Sequence, residues 1–373
     1  MREKGINKIL LNIILLFTLI FVFSTLVSAE IDVGGELKTS AGFTINTDGE
    51  IYNYNRQEIN LDLFLPSYGK TEPKFAIKLF NDSLTGESDY FIKKLYLKHK
   101  FDKFHISMGR QPVSWSFGSL LNPVDYNTGA VVMDQTTNSK FIDGVEVYLP
   151  INWNSGITAV VSSPAHSEHL QWGLRNRFGY KGYDISLNLI HEPGKQLAGL
   201  IIPTANRIGI AAKGDLGLLG IYGAAGYYAS ENMENMTYLL GTDYSYNFNY
   251  GSNKLMLQLE YINLEPENLK NIIGAIIPLT YTGDANKLQF LLVNAGYTLD
   301  DFSSLSLMGI SCIEDSSILL IPAYENQLGD KLDITVRGGL YLGEGNTLFG
   351  PGEVTQGISM PQSTVEIELS YPF

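Results

Sequence analysis

Residues 363–373 read STVEIELSYPF. Val365, Ile367, Leu369, Tyr371 and Phe373 fall on every second position, with Glu366, Glu368 and Ser370 between them. A period of two belongs to an extended strand with one apolar and one polar face. Here the apolar face ends in two aromatics, the second of which is the last residue. The edge strand of an ordinary β-sandwich would carry the same alternation, so the choice of fold rests on what precedes it.

The other end tells against a sandwich. Residues 1–29 join a basic start (Arg2, Lys4, Lys8) to an apolar run over 9–22 and then to small residues ending in Val27-Ser28-Ala29. This is the three-part pattern of a secretory signal peptide, and cleavage is expected after Ala29. An uncleaved anchor is the competing reading, because 9–27 is just long enough to span a bilayer. The Val-Ser-Ala site favours cleavage. Beyond Ala29 no stretch approaches the roughly 18–20 consecutive apolar residues of a membrane helix. A bilayer crossing by the mature chain therefore requires a closed barrel, the other structure that satisfies every backbone group in lipid.

Composition narrows the function classes. The formal charge is -13, and losing three basic residues and Glu3 with the leader leaves about -15. Such a chain is a poor ligand for nucleic acid. Cys312 is the only cysteine, which excludes an intramolecular disulfide and a cysteine-based zinc site. Among the five histidines, His166 and His169 share one loop and His191 precedes Glu192, a spacing that does not suggest a metal site. No cofactor is implied. Tyr (22) and Phe (18) are abundant, as interfacial girdles or a large β core would require.

Period-two segments recur along the chain. Ile31, Val33, Leu37, Ala41, Phe43 and Ile45 alternate with Asp32, Glu36, Lys38, Ser40 and Thr44. Ile59 to Leu65 alternate with Glu58, Asn60 and Asp62, and Leu170, Trp172, Leu174, Phe178 and Tyr180 with Gln171, Arg175 and Arg177. The same holds over 238–250 around Asp243, over 255–261 around Glu260, and over 332–342 around Arg337. With weaker runs between them the count is about 18 strands, 16 being nearly as acceptable, and no segment shows a helical stripe of comparable length. If the first strand runs outward from the periplasm, the inner connections are 66–72, 102–103, 150–154, 179–183, 215–219, 251–253, 299–303 and 325–330, all short. The outer ones, 46–55, 110–140, 193–206, 263–286 and 343–362, hold every long insertion. Short periplasmic turns and long external loops are the habit of membrane barrels. The expected fold is thus all-β: a transmembrane antiparallel β-barrel of about 16–18 strands over 30–373, following a signal peptide at 1–29.

The terminal strand, ending on Phe373 with Tyr371 two residues earlier, resembles the assembly signal of bacterial outer-membrane β-barrels. Gly109-Arg110-Gln111, Trp115, Asn122-Pro123 and Asp125 resemble a pattern found in several porin-like families, with Trp115-Ser116 where those families often show Trp-Gly. The local pattern covers about 17 residues. The wider likeness, to porins in general, spans the chain through its strand pattern. It implies passive diffusion of small hydrophilic solutes or ions, residence in the outer membrane of a diderm bacterium, contact with lipid and the barrel-assembly machinery, and a homotrimer as the family habit. Loop 110–140 carries Trp115, Phe117, Leu120, Leu121, Val131, Val132 and Met133, too apolar for a loop meant only for solvent. It is expected to fold into the barrel and narrow it, with Arg110, Trp115, Asp125 and Asp134 as constriction candidates. The bland alternative is that Arg110 and Asp125 pin the loop to itself. The strand register nominates Glu36, Glu58, Asp62, Arg175, Arg177, Asp243, Glu260, Arg337 and Glu366 for the lumen, since such charges are costly on the lipid face. The alternative for each is a wall residue that is solvated or paired.

Other readings stay open at this stage. His105-Ile106-Ser107 followed by Gly109-Arg110 resembles the His-x-Ser pair of the outer-membrane phospholipases, but the Asn122 that would orient the His lies in a long loop and that fold has about twelve strands. An enzyme is not expected. A substrate-specific channel for sugars or organic acids would use aromatic rails, with Tyr90, Tyr96, Tyr148, Tyr222 and Tyr228 as candidates. A non-conducting glycan-binding barrel is the remaining alternative.

Overall fold

The computed structural model describes residues 31–83, 86–115, 117, 122–126, 133–134, 139–164, 167, 169–197, 200–202, 204–230, 233–249, 253–264, 288–345, 347–355 and 358–373. The expected leader and its cleavage position lie outside the described residues. Along the chain the strands are β1 (Asp32–Ile45), β2 (Ile51–Phe64), β3 (Thr71–Asp82), β4 (Glu87–Lys100), β5 (His105–Val113), β6 (Met133–Asp134), β7 (Ser139–Asn152), β8 (Ser155–Ser162), β9 (Gln171–Tyr180), β10 (Tyr183–Glu192), β11 (Lys195–Leu197) and β12 (Leu200–Ile202). They continue as β13 (Ala205–Leu216), β14 (Leu219–Ser230), β15 (Met233–Phe248), β16 (Asn253–Leu264), β17 (Leu288–Thr298), β18 (Ser303–Cys312), β19 (Ser317–Leu328), β20 (Leu332–Leu342), β21 (Gly352–Thr355), β22 (Ile358–Met360) and β23 (Ser363–Pro372).

Eighteen of these, β1–β5, β7–β10, β13–β20 and β23, pair antiparallel with their neighbours and close into a barrel. No helix among the described residues is long and apolar enough to cross a membrane. The seam joins β1 to β23, with Leu37 opposite Tyr371 and Phe43 opposite Val365. Past the ladder, Gly35 N donates to Phe373 O and Phe373 N to Gly35 O, each at 3.0 Å. A Cβ on Gly35 would stand 2.8 Å from the Phe373 ring, so glycine is what lets the last aromatic lie across the seam.

Alternation sorts the two faces. Val33, Leu37, Leu174, Leu187, Leu189, Ile208, Ile210, Leu257, Leu259, Leu305, Leu307 and Ile367 are exposed on the outside. Side chains one position along in each strand, such as Glu36, Glu58, Asn188, Arg207, Glu260 and Glu366, turn inward. Because strand period and barrel closure are both fixed, a slip of one residue would exchange these sets, and register is therefore strongly specified. The N-terminus of β1 and the C-terminus of β23 share one end with the turns at 65–70, 101–104, 153–154, 181–182, 217–218 and 329–331. The strand ends that flank the long connections 114–138, 193–204, 265–287 and 343–362 are at the other end, the loop end. The strand count, the alternation of connection lengths and the antiparallel closure agree with the sequence expectation.

Two features depart from it. The connections 193–206 and 343–362 carry hairpins of their own, β11 with β12 and β21 with β22. These runs are three or four residues long, too short for a period of two to register. In β4, Lys93 is an extra residue between Ile92 opposite Ile77 and Lys94 opposite Ala76, a β-bulge that bends the strand.

Candidate functional site

The inside of the barrel is built from the described part of connection 114–138 and the wall it rests on. Asn122 and Asp125 organise the segment locally. The Asn122 side chain accepts from Val124 N (3.0 Å) and donates to Phe117 O (2.7 Å), and Asp125 N donates to Asn122 O (3.2 Å). Asp125 Oδ1 accepts from Trp115 N (3.0 Å) and Tyr126 N (2.8 Å), while its Oδ2 faces Lys140 Nζ at 3.0 Å. Thus the Asn-Pro-x-Asp run is a turn whose two polar side chains satisfy the loop's own donors, as Asn and Asp do in tight turns.

The loop's carbonyls are caught by the wall. Arg207 Nη1 donates to Pro123 O (2.8 Å), Asn188 Nδ2 to Val124 O (2.7 Å) and Gln171 Nε2 to Tyr126 O (2.8 Å), so three neighbouring strands each supply one donor. Arg207 is fully buried, pairs with Glu192 Oε1 at 2.5 Å and lies 5.2 Å over the Tyr228 ring. Tyr126 donates its hydroxyl to Gln171 O (3.2 Å) and stands 2.9 Å from Ser162 Oγ. Burial pushes its phenol up to about 12, so it remains a neutral donor. The wall makes room by being small: a Cβ on Gly173 would stand 2.8 Å from Trp115, and one on Gly226 would stand 2.8 Å from Pro123 O.

Two apolar clusters complete the filling. Trp115 and Tyr126 pack with Val113, Ile142, Val160 and Ile190. Val124 joins Ala211, Ala224, Leu239, Ile262, Leu264, Leu288, Phe290 and Cys312, a cluster that also takes Leu348 from connection 343–362. That second connection is tied to the wall by Leu348 N on Asp315 Oδ2 (2.7 Å) and Phe349 N on Ser317 Oγ (3.1 Å).

Where the loops are not packed, a cavity of about 820 Å³ remains along β1–β3, β17–β20 and β23. Its charges are largely paired: Lys38 with Glu36 at 3.2 Å, Lys78 with Glu58 at 2.5 Å and Arg337 with Glu366 at 3.3 Å. Tyr54 OH adds a bond to Glu366 at 3.0 Å, and Ser370 Oγ one to Glu36 at 2.5 Å.

The sequence candidates sort as follows. Glu36, Glu58, Arg337 and Glu366 come together on this cavity. Asp62 shares their face, opposite Gly34 and Ala76. Asp243 lines a smaller recess with Asp184, Lys213 and Tyr222, and Arg177 pairs with Asp184 at 2.9 Å. Glu260 is buried and accepts from Tyr222 OH (2.5 Å) and Gln258 Nε2 (2.9 Å). Arg175 is inward on β9, with Nε unpartnered. Tyr371 and Phe373 face outward at the seam.

The constriction set needs correction. Arg110 lies on the outer surface: its guanidinium grips Asp143 with Nε–Oδ1 at 2.7 Å and Nη2–Oδ2 at 2.5 Å, and Asp143 alternates with the inward Ile142 and Gly144. Two places before Arg110, Met108 is 64% exposed. The sequence pattern misleads because Arg110 sits one position beyond the inward Gly109, whose φ of 122 is a backbone state open to glycine. Asp125 is buried in its ion pair and Trp115 in its cluster, so neither presents a polar group to the bore. The side chain of Asp134 lies outside the described residues, although its backbone pairs with Ser139. Of the aromatic candidates, Tyr90 is exposed, opposite Leu79 on the outer face. The Asn122 amide is spent within the loop, and His105 Nδ1 has no partner, so no relay joins His105, Ser107 and Asn122. Among the described residues no group of His, Cys, Asp and Glu has metal-site geometry.

Missed by sequence reasoning were Gln171, Asn188 and Arg207, the donors that hold the loop. A signal was present: on the inward face of β13 and β14, Arg207 and Tyr228 stand beside Gly209, Ala211, Ala224 and Gly226. Small residues on one face of a wall mark where something packs.

No family model matches the chain, and no curated protein matches it. Solved structures do. The chain is similar to OccK8 (OprE) of Pseudomonas aeruginosa, with 11% identity, TM-score 0.57 and coverage of 92% of this chain and 98% of that one. OccK11 (OpdR) of the same organism gives 8% identity, TM-score 0.56 and coverage of 92% and 96%. OmpF of Salmonella typhi, in complex with daunomycin, gives 10% identity, TM-score 0.51 and coverage of 92% and 98%. At these identities the likeness is one of fold: a closed antiparallel barrel covered almost end to end.

Proposed function

We propose that the chain is an outer-membrane porin that lets small hydrophilic solutes or ions diffuse through its lumen. The observation that carries this reading is the partition of the wall, with exposed aliphatic side chains outside and a charged cavity of about 820 Å³ inside. A soluble barrel has no use for an aliphatic exterior, and a side-chain-filled barrel leaves no such cavity. The membrane is then the outer membrane of a diderm bacterium, reached through the signal peptide at 1–29, with lipid and the assembly machinery as partners and Tyr371 and Phe373 as the assembly signal. The test is planar-bilayer recording of the mature chain, residues 30–373. Stepwise ohmic openings support a porin, and a folded barrel that passes no current refutes one.

A second reading, a channel selective among solutes, is favoured by the packing of Trp115, Val124, Tyr126 and Leu348 onto the wall, which fills part of the lumen beside the cavity. Small sugars or organic acids that reduce the single-channel current in a saturable way would distinguish it from unselective diffusion.

A further inference from the structure

One sector of the lumen wall is apolar. On β18, Met308 stands four positions from Ser304, which lines the cavity, and an even step along a strand returns to the same face. Its ladder partners are Asn294 on β17 and Ile321 on β19, and Ile321 lines the cavity itself. On β16, Met256 is two positions from Gln258, whose ladder partner Asp243 lines the smaller recess. Met256 lies over Gly296, where an added Cβ would stand 3.6 Å from its Cε. Although both methionines face inward, Met256 is 49% and Met308 37% exposed. Toward the loop end the strip continues through Leu292 and Ile310 to the apolar cluster that holds Val124.

At about 3.3 Å per residue and a tilt near 40°, Met308 lies about 13 Å above the turn end of β18, halfway up an apolar band about 25 Å tall. A wall that meets only water and inorganic ions gains nothing from such side chains, whereas an apolar body laid on them removes both surfaces from water. Thioethers suit a surface of this kind, because they are flexible and polarisable and adapt to bodies of different shape.

The charges of the cavity decide the sign of the solute. Each basic residue that lines it is paired: Lys38 with Glu36, Arg56 with Asp82, Lys78 with Glu58 and Arg337 with Glu366. Asp300, Asp301, Glu325 and Asp333 line it too and meet no basic side chain among the described residues. Glu325 shares the inward face of β19 with Ile321, about 13 Å further toward the turn end. An apolar surface and an uncompensated negative one therefore adjoin.

We propose that the channel takes small organic cations with an aliphatic body. The alkyl part lies on Met308, Ile321 and Met256, and the ammonium turns toward Glu325 and Asp333. Passage of such a solute rests on the porin reading, while its binding to the wall does not.

The experiment is planar-bilayer recording of the mature chain, residues 30–373, with n-alkylammonium ions from methyl to hexyl and, as the opposite charge, the carboxylates of equal length. Full burial of a methylene is worth about fourfold in affinity, and contact on one side about twofold. The blocking concentration is expected to fall about twofold per added carbon in the ammonium series. Hexanoate is expected to block about tenfold less well than hexylammonium. Met308→Gln/Ile321→Thr should remove the dependence on chain length, and Glu325→Gln/Asp333→Asn should weaken block by every ammonium ion. A wild-type channel that methylammonium and hexylammonium block alike, as it would if the chain's own segments covered the strip, overturns the proposal. Hexanoate equal to hexylammonium does the same. A chain-length series that both double variants leave unchanged reflects partition into the lipid and also overturns it. Titration calorimetry of the refolded barrel in nanodiscs, with the same ions, separates the two ideas. A silent barrel that prefers hexylammonium to methylammonium and hexanoate keeps the wall site and loses the porin, and a conducting barrel without that order does the reverse.

Discussion

Asp125 and Lys140 meet inside the barrel at 3.0 Å, with 1% and 3% of their side chains exposed, and this buried pair fastens the loop-end connection to the start of β7. The same carboxylate takes the backbone N–H groups of Trp115 and Tyr126, so one side chain sets the path of the loop and ties it to the wall.

Asp125→Asn keeps an oxygen for the two N–H groups and removes the charge facing Lys140. Breaking a buried pair from one side costs about 3–5 kcal/mol. In a large barrel most of that is expected to appear as local release of the loop, seen as faster amide exchange over 114–126 and a higher single-channel conductance. Unchanged exchange would show that the wall donors alone hold the loop.

Arg207→Ala removes the donor to Pro123 O and the partner of Glu192 at once. The space of a fully buried guanidinium is left open and a half-buried acid loses that cation, and a loss of about 3–5 kcal/mol is expected in urea unfolding of the refolded barrel. Arg207→Lys keeps the charge but not the planar fork, and is expected to recover only part of the loss.

Gly226→Val places a side chain where Pro123 O now rests, 2.8 Å from the first added carbon. Overpacking of this kind costs about 1–3 kcal/mol. Because the strands are far stiffer than the loop, the loop is expected to move, broadening the distribution of conductance levels. A single sharp level identical to wild type would contradict the packing described for this wall.

Arg110→Gln is expected to leave ion selectivity and conductance unchanged, since its guanidinium is bound to Asp143 on the outer surface. Exposed ion pairs contribute about 0–1 kcal/mol, so the stability change should be equally small. A shifted reversal potential in a salt gradient would return Arg110 to the lumen.

Deleting Phe373 removes both closing hydrogen bonds to Gly35. At about 0.5–1.5 kcal/mol each, the barrel should lose about 1–3 kcal/mol. The measurement is the urea midpoint together with refolding yield, since the seam is the last pairing available to the chain.

The strands were legible because a barrel wall imposes two solvents on one chain. Val365, Ile367 and Leu369 face one side while Glu366 and Glu368 face the other, and that alternation is written directly in the residues. Long insertions between every second pair of strands were legible for a similar reason, since antiparallel closure leaves turns at one end and loops at the other. The lumen charges Glu36, Glu58, Arg337 and Glu366 followed from the same parity.

Parity could not reach residues whose role depends on contacts distant in sequence. Asn188 and Arg207 hold a loop more than 60 positions earlier, and only the closed barrel brings Val124 O within 2.7 Å of one and Pro123 O within 2.8 Å of the other. Arg110 was misplaced because its neighbour Gly109 shifts the reading of the motif, and the partner that fixes its side, Asp143, is on the next wall strand. The sequence by itself determined the strand period, the antiparallel order and which face of each strand is polar, because these depend on nearest neighbours along the chain. The tertiary structure decided which charges meet and which connection fills the lumen, because closure sets the distances between strands remote in sequence.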